Sequence, residues 1–245
     1  MIRTSNGVLR KVAGFERVSE NEATYGGVAR KTLILVATTF LTAVFSILFL
    51  PVTLGIVGLI VASIATFILG IIISFNPSAA RTLSIPYALG QGLILGMVTA
   101  LYESVYAGIA VLALVVTMAI FLVAMVLYTS GIIRVGTFFR KLMFVMLIGS
   151  LFVTLIVWIM SLFNPAIASA VYGVDSPIAL GLSAVMVVIS SLYVLISLDN
   201  VTLIVSRGVD EKYEWYAGFG ILVNIIWLYM EVLRLLLIIL SRARR

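Results

Sequence analysis

Apolar residues fill this chain in long runs separated by short charged stretches, and the run lengths predict membrane-crossing helices. Between Thr32 and Ala80 lie 49 residues without a charge, more than twice the ~20 that carry a helix across a ~30 Å hydrocarbon core. Pro51 and Gly55 divide this stretch into two spans joined by a tight turn. A third run, from about Ser84 to Tyr102, is bounded by Arg81 and Glu103 and carries Pro86 near its start, where a helix tolerates it. The fourth runs from about Ala107 to Ser130. The fifth follows the basic loop of Arg134, Arg140 and Lys141 and reaches about Phe163, where a loop with Asn164, Pro165 and Asp175 begins. The sixth starts near Pro177 and continues past Asp199 to Ser206; Gly208 to Lys212 form a turn, and the seventh runs from Trp215 to Leu240. The pattern predicts an all-α integral membrane protein with seven transmembrane helices, residues 1–31 forming a cytoplasmic tail and residues 32–245 the transmembrane domain.

Composition narrows the chemistry. The chain is 63% hydrophobic and 11% charged, with a mean hydropathy of +1.25, far beyond what a water-soluble domain needs. It has no cysteine and no histidine, which excludes disulfides, thiolate metal sites, the zinc-protease pattern, the Ser-His-Asp triad and the Cys-His pair. The net charge of +6 comes from basic residues in the flanks of apolar runs, the distribution of a topology signal and not of a nucleic-acid-binding surface. No cofactor or metal site is expected. Residues 1–31 mix Arg3, Arg10, Lys11 and Arg17 with Glu16, Glu20 and Glu22 and contain no apolar core, so they do not form a secretory signal.

Lys and Arg number 6, 1, 3 and 2 in the tail and the even-numbered loops, whereas the three odd loops hold none. That asymmetry places the N-terminus in the cytoplasm. Seven crossings then put Arg242, Arg244 and Arg245 outside. A re-entrant last helix would keep them inside, but the ~26 residues of the seventh run give ~39 Å, enough for a full crossing. Gly90, Gly92 and Gly96 in the third run have no preceding strand, so they serve close helix approach and not phosphate binding.

Two acids stand out. Asp199 and Glu231 lie inside apolar runs, where an ionisable side chain costs a few kcal/mol at the least and usually lines a cavity, a pathway or a proton site. In an antiparallel pair turning near residues 211 and 212, the residue level with Asp199 is about Asn224, and Glu231 is on the same face about 10 Å deeper. The three form a polar ladder. Arg234, three residues after Glu231, has the spacing of a helical ion pair. Glu103 and Asp175 flank loops without a basic residue, where they either concentrate cations at an outer mouth or are solvated loop acids.

The stretches ATYGGVARKT at 23–32, IPYALGQGLILG at 85–96 and above all EKYEWYAGFG at 211–220 followed by WLYMEVLRLL at 227–236 resemble the bacterial Bax inhibitor-1/YccA family over essentially the whole chain. The resemblance implies seven helices with the C-terminal helix surrounded by the other six, in the bacterial cytoplasmic (inner) membrane. It also implies a family in which some members leak calcium in a pH-dependent way and others bind and modulate a membrane-anchored AAA protease. In that family an aspartate late in the sixth helix pairs with one in the seventh, and an arginine on the cytoplasmic side latches onto the first. Asp199 matches the first aspartate, Asn224 stands at the place of the second, and Arg81 matches the latch.

Two functions compete on this reading. The first is a leak for calcium or another cation, gated around Asp199, Asn224, Glu231 and Arg81; the second is a membrane-embedded regulator of a protease or stress complex, with Asp199 and Arg81 as a structural ion pair. An intramembrane enzyme is not expected, since the two buried acids lie far apart in depth and no GxGD-type motif is present. Nor does an inverted repeat point to an alternating-access transporter.

Overall fold

The computed structural model describes residues 21–49 and 52–244, and nearly all of them are helical. The helices are α1 (Tyr25–Phe49), α2 (Val52–Phe75), α3 (Ala80–Val105, entered through a 3-10 turn Pro77–Ala79), α4 (Ile109–Thr129), α5 (Thr137–Phe163), the short α6 (Pro165–Tyr172), α7 (Pro177–Ser206) and α8 (Tyr213–Ala243). Among the described residues seven helices, all but α6, are long and apolar enough to cross a bilayer. The expected turn at Pro51, the tail up to residue 20 and Arg245 lie outside the described residues. Helix α8 is the most buried span, with 39% of its apolar window covered against 11% for α5. Its 31 unbroken residues measure about 46 Å, which is a full crossing and not a re-entrant hairpin.

Several boundaries differ from the hydropathy pattern for physical reasons. Helix α1 starts at Tyr25, seven residues before the first apolar run, because the charge on Lys31 is neutralised by partners described below. Helix α3 contains Pro86, and its first turn carries Arg81. Helix α6 was not expected, yet its signal is the pair Asn164-Pro165: the Asn164 side chain accepts from Ala166 N at 3.0 Å, and Pro165 occupies the first helical position, where a missing N–H costs nothing.

The chain forms two compact units. In the first, made of residues up to Ala100 and Ser197–Val223, α1 buries Val28, Lys31, Leu35, Thr39 and Ser46, the three-to-four spacing of a single helical face. That face meets α3 at its small residues. A Cβ on Gly92 would lie 2.5 Å from the Thr39 carbonyl oxygen, and one on Gly96 would lie 2.4 Å from that of Ala43. Backbones this close allow side-chain hydroxyls to reach across: Thr39 Oγ1 donates to Ala88 O at 3.2 Å and Ser46 Oγ to Leu93 O at 3.4 Å. Lipid is as apolar as leucine, so such packing and hydrogen bonding hold helices together where the hydrophobic effect does not. On α2, Thr66 fills the notch left by Gly90, whose added Cβ would sit 2.4 Å from Thr66 Cγ2.

The second unit comprises Leu101–Ile196 and the chain from Asn224 onward. Here α4 is entered through Gly108, whose φ of 87° suits glycine. Tyr193 on α7 donates its hydroxyl to Met143 O of α5 at 2.9 Å. Much of α5 is exposed and apolar, including Phe144, Phe152 and Trp158, as expected of a lipid-facing helix.

Close packing at Gly92 makes a direct prediction. Gly92→Ala should lower the stability of the detergent-solubilised protein by about 1–3 kcal/mol, because α1 must move away. Gly149→Ala, in the interior of α5 with open space at its Cβ, should instead raise it by about 0.5–1 kcal/mol. Thermal unfolding of the two variants distinguishes the effects.

Candidate functional site

The structure places the expected residues in different settings. In the first unit, Asp199 is half-buried on α7, seven residues before the helix ends at Ser206, so its carboxylate is about 10 Å inside that end. Arg81, also in this unit, is exposed in the first turn of α3. In the second unit, Asn224 Nδ2 donates to the carbonyl of Tyr193 at 3.1 Å, and Tyr193 lies six residues from Asp199 along α7, about 9 Å. The Tyr193 ring packs on Trp227 with centroids 5.3 Å apart, and Trp227 Nε1 donates to Glu231 Oε1 at 3.1 Å. Asn224 and Glu231 are therefore linked through an aromatic pair. Glu231 Oε2 is buried without a hydrogen-bond partner. The Arg234 guanidinium lies 4.9 Å from the centre of the Tyr172 ring, and its Nη2 is likewise buried without a hydrogen-bond partner. The hydrogen bond that Glu231 makes is thus to Trp227, while Arg234, which lies over an aromatic ring, acts on it through charge alone.

The two acids expected near an outer mouth have separate tasks. Glu103 accepts from the backbone N–H of Gly108 and, at 3.0 Å, of Ala110, so both oxygens cap the first turn of α4, where the helix dipole favours an anion. Asp175 lies beside the start of α7. Its backbone carbonyl and that of Ser176 accept from Arg242 Nη2, at 3.5 and 2.6 Å, which ties the last turn of α8 to the segment before α7. Among the described residues no three acidic side chains lie close enough to hold a metal ion.

The most developed polar cluster was not foreseen. Lys31, 6% exposed, and Glu214, 2% exposed, form an ion pair with Nζ to Oε2 at 2.6 Å. Lys31 also donates to the side chain and the carbonyl of Glu211, at 3.2 and 3.3 Å. Glu214 Oε1 accepts from Thr24 N at 2.7 Å and from Thr24 Oγ1 at 3.2 Å. A Cβ on Gly27 would fall 2.0 Å from Glu214 Oε1, so this glycine vacates the space that the carboxylate fills. Around the pair, Ala23 N donates to Val209 O at 2.7 Å, Glu211 N donates to Asn21 O at 3.1 Å, and Glu22 and Asp210 form an antiparallel bridge. The turn itself depends on Gly208 at φ 59°. The chain entering α1 is thereby fastened to the turn between α7 and α8. Hydropathy hides the cluster, because Lys31 reads as a tail charge and Glu214 as part of a charged turn. The signal was Gly27, four residues before Lys31 and so on the same helical face.

Removing one member of a buried pair strands the other charge. Lys31→Met should destabilise the fold by about 3–5 kcal/mol. The double variant Lys31→Met/Glu214→Gln should recover most of that loss, since the amide oxygen still accepts from Thr24. Thermal unfolding in detergent measures both.

No curated protein and no solved structure matches the chain. The family described as Bax inhibitor 1 like matches residues 6–241, which takes in the first six membrane spans and all but the last two residues of the seventh. This multi-pass membrane protein belongs to the Bax inhibitor 1 like family.

Proposed function

We propose that the protein is a pH-responsive cation leak of the bacterial cytoplasmic membrane, with calcium the first ion to test and its N-terminus in the cytoplasm. Asp199 supports this reading: it is a half-buried carboxylate inside an apolar membrane-crossing helix, and charges in such places are costly and mark ion or proton pathways. An ionised Asp199 is held near the end of α7, where the helix dipole disfavours an anion, so it calls for a cationic partner. Arg81 is the residue the family resemblance offers for that latch. Protonation removes the charge and weakens the latch, which shifts the balance between closed and open forms toward open as pH falls.

One observation favours a second reading, that of a membrane-embedded regulator of a membrane-anchored protease. The segment Asn21–Thr24 is bonded to the turn at Val209–Glu214, which makes a structured face for a protein contact. Deleting residues 1–20 separates the two readings: a leak survives the deletion, whereas co-purification of a protease does not.

Reconstitution into liposomes loaded with a calcium-sensitive dye tests the leak. Asp199→Asn mimics the protonated state. It should raise flux at neutral pH by about tenfold, the equivalent of one charge-assisted hydrogen bond, and flatten the pH profile. Unchanged flux with an unchanged profile contradicts the proposal.

A further inference from the structure

The far end of α8 carries a feature that the leak does not use. Seven crossings place Arg242 and Arg244 at the membrane surface opposite the N-terminus, against the usual bias of basic residues. Within the second unit both are engaged. Arg242 holds the carbonyls of Asp175 and Ser176, and its Nε is buried without a hydrogen-bond partner. Arg244 lies 5.8 Å from the centre of the Tyr106 ring. Between these groups opens a cavity of about 500 Å³ lined by Tyr106, Val174, Asp175, Ser241 and Arg244. Its lining residues thus carry a guanidinium, two hydroxyl groups and a carboxylate. Ser241 and Arg244 are three residues apart on α8, so they share one face. The cavity sits at the end of a membrane-crossing helix, at the level where lipid headgroups lie.

The geometry points to a binding site for one phospholipid with a phosphoethanolamine headgroup. A phosphodiester matches the donors: the planar guanidinium of Arg244 offers a bidentate fork, which leaves its face on Tyr106 undisturbed, and Ser241 and Tyr106, which line the same cavity, each carry a hydroxyl. The carboxylate of Asp175 on the same cavity is wrong for a second anion and right for an ammonium. Its two oxygens have about four acceptor sites, so an ammonium adds to the contacts it already makes. Phosphate and ammonium together describe a zwitterionic headgroup better than an anionic one or free phosphate. A surface for the acyl chain is present as well. Val105, the neighbour of Tyr106, is 55% exposed, and Leu101, one turn deeper on the same face of α3, is 62% exposed, so an apolar stripe leads from the cavity into the bilayer. The bound lipid acts as a clip over the loop before α7 and the last turn of α8. The site is independent of ion conduction and of any protease.

Native mass spectrometry and thermal unfolding of the full detergent-solubilised protein test it, with phosphatidylethanolamine, phosphatidylglycerol and inorganic phosphate added separately. Phosphatidylethanolamine should be retained and raise the melting temperature, phosphatidylglycerol should do so less, and phosphate should have no effect. Arg244→Ala should weaken phosphatidylethanolamine binding by about tenfold, the loss of a charge-assisted contact. Asp175→Asn, which keeps the carbonyl that holds Arg242, should reverse the preference in favour of phosphatidylglycerol. Equal retention of both lipids that is unaffected by Arg244→Ala overturns the site. A preference of the unaltered protein for phosphatidylglycerol or for phosphate overturns the headgroup assignment.

Discussion

A bilayer interior offers no water to polar groups, and this constraint governs the buried charged and hydroxylated side chains of the structure. The buried Lys31–Glu214 pair is its clearest expression. Two ions out of water are a net cost unless each is fully partnered, and here lysine finds three acceptor atoms and glutamate finds three donors. The partners come from the starts of the first and last membrane helices and from the turn before the latter. Placing the pair therefore fixes where α1 begins, how the chain enters it and where α7 hands over to α8. Gly27 and Gly208 follow from the same arrangement, one clearing room for the carboxylate and the other turning the chain.

The same rule acts on uncharged groups. Thr39 and Ser46 send their hydroxyls to α3 carbonyls, Ser197 Oγ donates to Gly220 O at 3.3 Å, and Asn224 sends its amide to Tyr193 O. Each such bond crosses from one helix to another, so polar side chains here specify which helix neighbours which. Where partners are incomplete, at Glu231 Oε2, Arg234 Nη2 and Arg242 Nε, the unsatisfied atoms lie along the C-terminal half of α8. Buried groups of this kind are the natural places for ordered water or a ligand, which is the physical basis for giving that half of the molecule a role of its own.

The seven spans were legible in the sequence because a bilayer demands about twenty apolar residues per crossing, and few other structures produce such runs. The glycines of α3 were legible for a related reason, since small residues in an apolar helix have little purpose beyond close approach. The start of α1 was not legible. A hydropathy pattern ends a helix at the first charge, and nothing local announces that Lys31 is neutralised by a residue 183 positions later. Glu103 was readable as an acid near a mouth or in a loop, but its capping of α4 depends on a glycine five residues on with positive φ. At Glu231, spacing indicated Arg234 as partner. The indole of Trp227 offers a donor one turn earlier, and Arg234 lies over an aromatic ring contributed by the unforeseen α6. Local periodicity thus carries the spans, while the polar contacts depend on residues far apart in sequence.

The central claim is that the chain crosses the membrane seven times, with the fastened entry to α1 and the arginine-rich end of α8 on opposite faces. The absence of cysteine makes a clean measurement available. Single cysteines introduced as Asn21→Cys and Ala243→Cys, each probed in sealed vesicles with a membrane-impermeant thiol reagent, report the side on which each end lies. The account predicts that the two positions are labelled from opposite faces. Labelling of both from the same face contradicts it.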